Sequence, residues 1–247
     1  MKKLTQRQLK AIEDVRENPN NFKKYNSNAQ FEELALEAIS LDDANYQYVS
    51  KRLINNEFNL KAVSLNGLIL MNMKEEHKTE EVIETALKQN GLALSVVANP
   101  TDKMKWIALS ANPGAIRYIE SPTEEMMLYL VRKMGFHIRF IKNPTEDVCI
   151  EAVKDSQCTK KRKVRNVLPE HIYGPLALIQ NQTERVCLEA VKVNGLAIKY
   201  AKFMTEEIQL EAVKQNGLAL QYIENPSPNV CMAAYEQTPE AEPFLKL

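Results

Sequence analysis

Five basic residues stand within six positions of one stretch: Lys160, Lys161, Arg162, Lys163 and Arg165. No acid lies among them, so their chemistry is that of an anion receptor for phosphates or an acidic protein surface. The run from Lys160 to Val164 also has the composition of a nuclear-import signal, which would act only in a eukaryotic cell. The bland alternative is a solvated loop. A second basic set, Arg117, Arg139 and Lys199, recurs at a fixed place in a repeating unit, joined by Lys142 and Lys202 three residues after two of its members. Repeats stacked about 10 Å apart would align this set as a ladder along one face. Residues 101–144 carry a net +3 and residues 31–100 a net −5, which again suggests a polar interaction surface.

Other reactive types are present without the spacing that chemistry needs. Glu151, Glu189 and Glu211 each have a lysine three residues on (Lys154, Lys192, Lys214), which reads as helix-surface ion pairing rather than acid–base work. His77, His137 and His171 are scattered, with no cysteine or carboxylate at metal-ligand spacing. Cys149, Cys187 and Cys231 share one repeat position and read as small core residues of a reducing compartment, while Cys158 is expected to expose its thiol. The sequence has no Gly-rich phosphate loop and no Gly-x-Ser-x-Gly, so no catalytic residue, metal or cofactor is expected. Aromatic mass gathers at Trp106, Tyr118, Tyr129, Phe136 and Phe140, most of it at core positions. Tyr129 takes a slot that is usually charged, so it is expected to be an exposed partner anchor.

The unit that positions all of these is clearest at residues 205–226. Thr205 is placed to cap a helix with its hydroxyl, and Glu206 and Glu207 suit the first turn, where the helix dipole favours negative charge. Ile208, Leu210, Ala212 and Val213 cover more of the circumference than one amphipathic stripe, as expected of a helix flanked on two sides. Asn216-Gly217 ends it, glycine suiting a left-handed C-terminal position. Leu218, Ala219, Leu220, Tyr222 and Ile223 form a second short helix, and Asn225-Pro226 stops it.

The same unit recurs about every 22 residues. Gapless copies begin at Thr79, Thr101 and Thr123, and strict copies at Thr183 and Thr205. Two worn copies precede them, near Phe31 and Asn55, with Asp42-Asp43 standing in the first where later copies have Asn-Gly. The copy beginning at Thr145 is interrupted by about 16 extra residues, which hold the basic run. Loops inserted into a repeat scaffold project from one face and carry its specificity, so this insertion is the first candidate contact. Residues 5–17 predict an N-terminal capping helix, followed by a loop at 18–21, and the tail after Ala234 reads as a polar cap.

The phrase Thr183–Tyr200 resembles an uncharacterised helical repeat family frequent in proteins of bacteriophages and large viruses. The resemblance covers residues 79–155 and 174–235 well and 31–78 loosely. More distantly, the sequence resembles the leucine-rich variant repeat, in which a helix alternates with a shorter 3-10 helix. Both resemblances imply a curved α-solenoid and neither supplies a catalytic motif. The first implies a viral origin, hence host takeover or counter-defence.

The expected fold is therefore all-α, a solenoid of about eight short helix-turn-helix repeats. Residues 1–30 are its N-terminal cap, 31–226 the array with an insertion at 156–171, and 227–247 the C-terminal cap and tail. Formal net charge is zero, so nothing global calls for nucleic acid or membrane, and no apolar run approaches a membrane span. No signal peptide is expected, and cytoplasm is the expected location, that of the host if the protein is viral. The function expected is non-enzymatic binding of a protein partner, as an inhibitor or adaptor acting on a host protein. The alternative is nucleic-acid binding through Lys160, Lys161, Arg162, Lys163 and Arg165 with the Arg117/Arg139/Lys199 ladder.

Overall fold

Asn216 shows how one residue builds two helices. Its backbone is extended (φ −156°, ψ 107°), its N–H donates to Ala212 O at 2.9 Å, and its Oδ1 accepts from Leu218 N at 3.1 Å. The first bond ends the α-helix Glu206–Gln215, and the second starts the 3-10 helix Gly217–Tyr222. A free carbonyl of one helix and a free N–H of the next are thus satisfied together. Asn66, Asn90, Asn112 and Asn194 repeat the arrangement, as does Asp42 in the first copy.

The computed structural model describes residues 4–155 and 174–245. The described secondary structure is all helical, and in each repeat the second helix is 3-10 rather than α. Six residues between an asparagine cap and a stop make two 3-10 turns, longer than the usual run of about three to four residues. Its three-residue period also sorts the side chains. Gly195 and Ile198 share a buried column of Gly195–Tyr200, while Leu196 and Lys199 share an outer one.

The protein divides into two compact units, Met1–Glu120 and Ser121–Leu247. In the first, the helices Gln6–Glu17, Glu32–Leu41, Asn56–Leu65, Glu80–Gln89 and Asp102–Ala111 pack each against the next. The 3-10 helices Pro19–Lys24, Asp43–Tyr48, Gly67–Asn72, Gly91–Val96 and Pro113–Tyr118 form a parallel layer in the same order. In the second, Glu124–Lys133, Glu146–Val153, Glu184–Val193, Glu206–Gln215 and Pro228–Gln237 stack likewise. Their companion layer is Gly135–Phe140, Pro175–Leu178, Gly195–Tyr200, Gly217–Tyr222 and Pro239–Phe244. Each unit is thus a helical-repeat stack with its core between the two layers. No helix among the described residues is long and apolar enough to cross a membrane.

Several local expectations change. Gly217 is not left-handed, and among the described glycines only Gly174 has a positive φ, at 80°. Glycine is required instead by close approach. A Cβ on Gly217 would lie 2.4 Å from Ala234 O of the following helix, and one on Gly195 would lie 2.3 Å from Ala212 O. The small alanine of one repeat and the bare backbone of the preceding one are two halves of a single contact. Thr205 sits at the N-cap but its side chain makes no cap bond, whereas Thr79, Thr101, Thr123, Thr145 and Thr183 do cap. The segment read as a loop at 18–21 opens the 3-10 helix Pro19–Lys24, with Asn18 in the role of Asn216 and Phe22 buried. The polar tail likewise folds as Pro239–Phe244, with Ala241 buried, so both ends repeat the α/3-10 pairing.

Candidate functional site

The insertion at 156–171, with Lys160, Lys161, Arg162, Lys163, Arg165, Cys158 and His171, lies outside the described residues. The remaining candidates sit on the 3-10 layer and on one α-helix, and they are placed as follows.

Lys199 occupies the exposed outer column of Gly195–Tyr200. Its Nζ lies 5.7 Å from the Tyr200 ring centroid and 5.5 Å from that of Tyr222, which holds the equivalent place one repeat on. An ammonium between two aromatic rings keeps its charge at the surface while the rings shield its stem. Phe203 and Met204 follow in sequence, 40% and 39% exposed, where the next repeat has Asn225-Pro226. The second unit therefore presents a cation between two tyrosines on its short helices, and two exposed apolar side chains in the link that follows one of them.

The other members of the ladder do not extend this patch evenly. Lys202 is committed locally, its Nζ donating to Gln180 O at 2.6 Å and its backbone N to Gln182 Oε1 at 2.8 Å. Arg139 is exposed, with Nε donating to Phe136 O at 3.1 Å and the guanidinium 5.5 Å from the Phe140 centroid. Between the short helices of Arg139 and Lys199 packs Pro175–Leu178, which carries Ala177 at the corresponding place. The second unit's ladder is thus interrupted by an alanine. Arg117 is exposed on Pro113–Tyr118 in the first unit, where the preceding short helices carry Ser95 and Met71 at its position. Within that unit it has no basic neighbour above it in the column.

Tyr129 is half-buried rather than exposed, with Lys133 Nζ 4.6 Å from its ring centroid. One turn of helix brings that lysine over the ring, so the aromatic is partly covered by its own helix. The aromatic cluster is less of a core than its spacing implies: only Phe136 is buried, Trp106 and Phe140 are half-buried, and Tyr118 is exposed. His137 takes the place of a buried alanine, and its Nδ1 meets Leu130 O at 2.9 Å, so it closes a helix end rather than a metal site.

The carboxylate set is ion-paired as the helix spacing implies, with one exchange. Glu189–Lys192 (2.9 Å) and Glu211–Lys214 (3.2 Å) are pairs within a helix, while Glu151 instead meets Arg132 of the preceding helix at 3.1 Å. Glu146 receives the Thr183 hydroxyl at 2.6 Å, which together with Arg185 holds its carboxyl below the ordinary range. Cys149, Cys187 and Cys231 are buried free thiols. Burial, and then the charge of Glu146, pushes the Cys149 thiol up to about 11, which leaves it protonated and unreactive at neutral pH. Among the described residues no three His, Cys, Asp or Glu could together hold a metal ion.

One set of residues has no counterpart among the expectations from sequence. Gln89, Gln215 and Gln237 end their α-helices and reach back one repeat: each Oε1 accepts the N–H of the preceding glycine, Gly67, Gly195 and Gly217, at 2.6, 2.6 and 2.5 Å. Nε2 of Gln89 and Gln215 also donates to the last helical carbonyl of the previous repeat, Leu65 O and Val193 O. Asp155 does the same for Gly135 at 2.9 Å. A sequence signal existed in the recurrence of glutamine just before the residue that joins the two helices, Asn90, Asn216 or Thr238. Its meaning needed the neighbouring repeat.

The protein matches no curated protein and no solved structure. A family model described as "Domain of unknown function (DUF4116)" matches residues 32–78 and 183–226, so the two worn early copies and the two strict late ones are the stretches similar to that repeat-like domain.

Proposed function

We propose that the protein is a non-enzymatic binding module for a protein partner, contacted through the short-helix edge of the second unit and the basic insertion. The observation that carries this reading is Lys199 held between Tyr200 and Tyr222, with the exposed Phe203 and Met204 following in sequence. Tyrosine combines apolar area with a polar tip and few rotatable bonds, which is why it anchors protein interfaces. The reading extends to an inhibitor or adaptor acting on a host protein in the cytoplasm if the protein is of viral origin.

The test is affinity purification of the tagged protein from its native cells, with and without nuclease, repeated with Lys199→Glu and Tyr222→Ala. A stoichiometric protein that survives nuclease and is lost with these variants, both still folded by circular dichroism, supports the proposal. Loss of everything with nuclease favours the alternative, nucleic-acid binding through Lys160, Lys161, Arg162, Lys163 and Arg165. That alternative further requires affinity to fall steeply with salt, because each neutralised phosphate releases counterions. Retention by a variant with those five residues neutralised sinks it.

A further inference from the structure

We propose that Asn90 is the site at which this protein deamidates spontaneously, and that a missing hydrogen bond from the neighbouring repeat selects it. The sequence contains four Asn-Gly steps: Asn66-Gly67, Asn90-Gly91, Asn194-Gly195 and Asn216-Gly217. In such a step the glycine amide nitrogen, unhindered by a side group, attacks the asparagine Cγ after losing its proton to hydroxide. A new bond forms between that nitrogen and Cγ, the bond from Cγ to Nδ2 breaks, and Nδ2 leaves as ammonia. Solvent water then opens the resulting succinimide at either carbonyl, giving aspartate or isoaspartate.

Backbone and cap do not separate the four sites, although Asn194 is buried where the other three are half-buried. Their backbones are alike, with ψ of 110°, 104°, 102° and 107° in sequence order. Each asparagine makes the same cap, Oδ1 accepting from the residue two on at 2.9, 3.0, 3.1 and 3.1 Å. What separates them is the nucleophile. The N–H of Gly67, Gly195 and Gly217 donates to Gln89, Gln215 and Gln237 respectively. That bond holds the proton on the nitrogen and fixes the nitrogen away from Cγ. The residue in the glutamine's place one repeat after Gly91 is Ala111, which has no acceptor to offer, and Gly91 N–H meets no acceptor among the described residues.

The two products differ in consequence. Aspartate at this place keeps the cap, as Asp42 does in the first copy by accepting from Ala44 N at 3.0 Å. Isoaspartate adds a methylene to the backbone next to Gly91. A Cβ on that glycine would already stand 2.2 Å from Ala108 O, so the junction has no slack for the longer backbone. Deamidation at Asn90 therefore marks a junction where isoaspartate loosens the contact between two repeats and aspartate only adds charge.

The full-length protein is incubated at mildly alkaline pH and physiological temperature, and amide-to-acid conversion at each Asn-Gly step is followed by peptide mass mapping. A net hydrogen bond of about 1 kcal/mol sets the expected ratio, with Asn90 converting roughly three- to tenfold faster than each of the other three. Ala111→Gln installs the missing bond at an exposed position and is expected to slow Asn90 by the same factor. Gln89→Ala removes a bond and is expected to speed Asn66 correspondingly. Equal rates at the four steps in the unaltered protein overturn the proposal. So does an unchanged rate at Asn90 in folded Ala111→Gln together with an unchanged rate at Asn66 in Gln89→Ala.

Discussion

The first copy, around Asp42–Tyr48, and the strict copies, around Asn194–Tyr222, solve one packing problem in two ways. In the strict copies a glycine lies on the carbonyl of the next repeat's alanine, and a glutamine closes the junction. In the first copy Asp43 stands in the glycine's place, and buried polar side chains hold the region together. Asn45 donates to Pro19 O at 3.2 Å and to Ala38 O at 3.1 Å, and Gln30 bonds Tyr25 O, Tyr48 O and Ser50 N. Tyr46 donates its hydroxyl to buried Asn59 at 2.8 Å. The difference teaches that a repeat can be joined by shape or by a polar network. Shape tolerates no added atom, whereas a network tolerates no lost partner.

The largest expected effect tests the shape side. Gly195→Ala forces its Cβ into Ala212 O, which is backbone and cannot swing away, so the unfolding free energy of that region falls by about 3 kcal/mol. Gly114→Ala is the control, because the nearest atom its Cβ would meet is the Asn112 side chain at 3.1 Å rather than backbone, and about 1 kcal/mol is expected. If urea titration ranks the two the other way, close approach is not what the glycines serve.

Next comes the pH response of the network. Burial pushes the Tyr46 phenol up to about 12, against about 10 when unfolded. The neutral phenol is the form the fold holds, so its stability contribution is whole below pH ~10 and is lost as pH rises toward 12, roughly 3 kcal/mol in all. Urea midpoints of the unaltered protein should fall over that interval, and Tyr46→Phe should flatten the fall. Asn59→Ala leaves the same hydroxyl buried without its acceptor and should lower stability by about 2 kcal/mol at neutral pH.

The smallest effect sharpens the comparison. Gln215→Ala removes the clamp but not the glycine–alanine contact, and about 1 kcal/mol is expected. A loss as large as that of Gly195→Ala would mean that the strict junctions, too, are held by polar bonds, and the contrast would collapse.

How far these features are legible in the sequence depends on their range. The α/3-10 pairing at the N-terminus is written in Asn18-Pro19, the same sign as Asn112-Pro113, and is readable once the cap is weighed above the length of the segment. Tyr129 departs from expectation because a charged slot implies exposure only when nothing on the same helix covers it, and Lys133 does. Of the basic ladder, Arg139 and Lys199 are separated by Ala177 of the intervening short helix, because equal repeat positions need not lie in adjacent repeats. The placing of Lys199 between Tyr200 and Tyr222 joins repeats whose tyrosines are about 22 residues apart and has no local signal.

By itself the sequence determined the repeat, its period, the helix starts at threonine and the break at Asn-Gly, because caps and propensities act within a few residues. Only the tertiary structure decided why the glycine is there, what the terminal glutamine does and which side chains face solvent. Those depend on the carbonyl and the amide of the neighbouring repeat, which stacking brings to Gly195 from Ala212 and Gln215 and to Gly217 from Ala234 and Gln237.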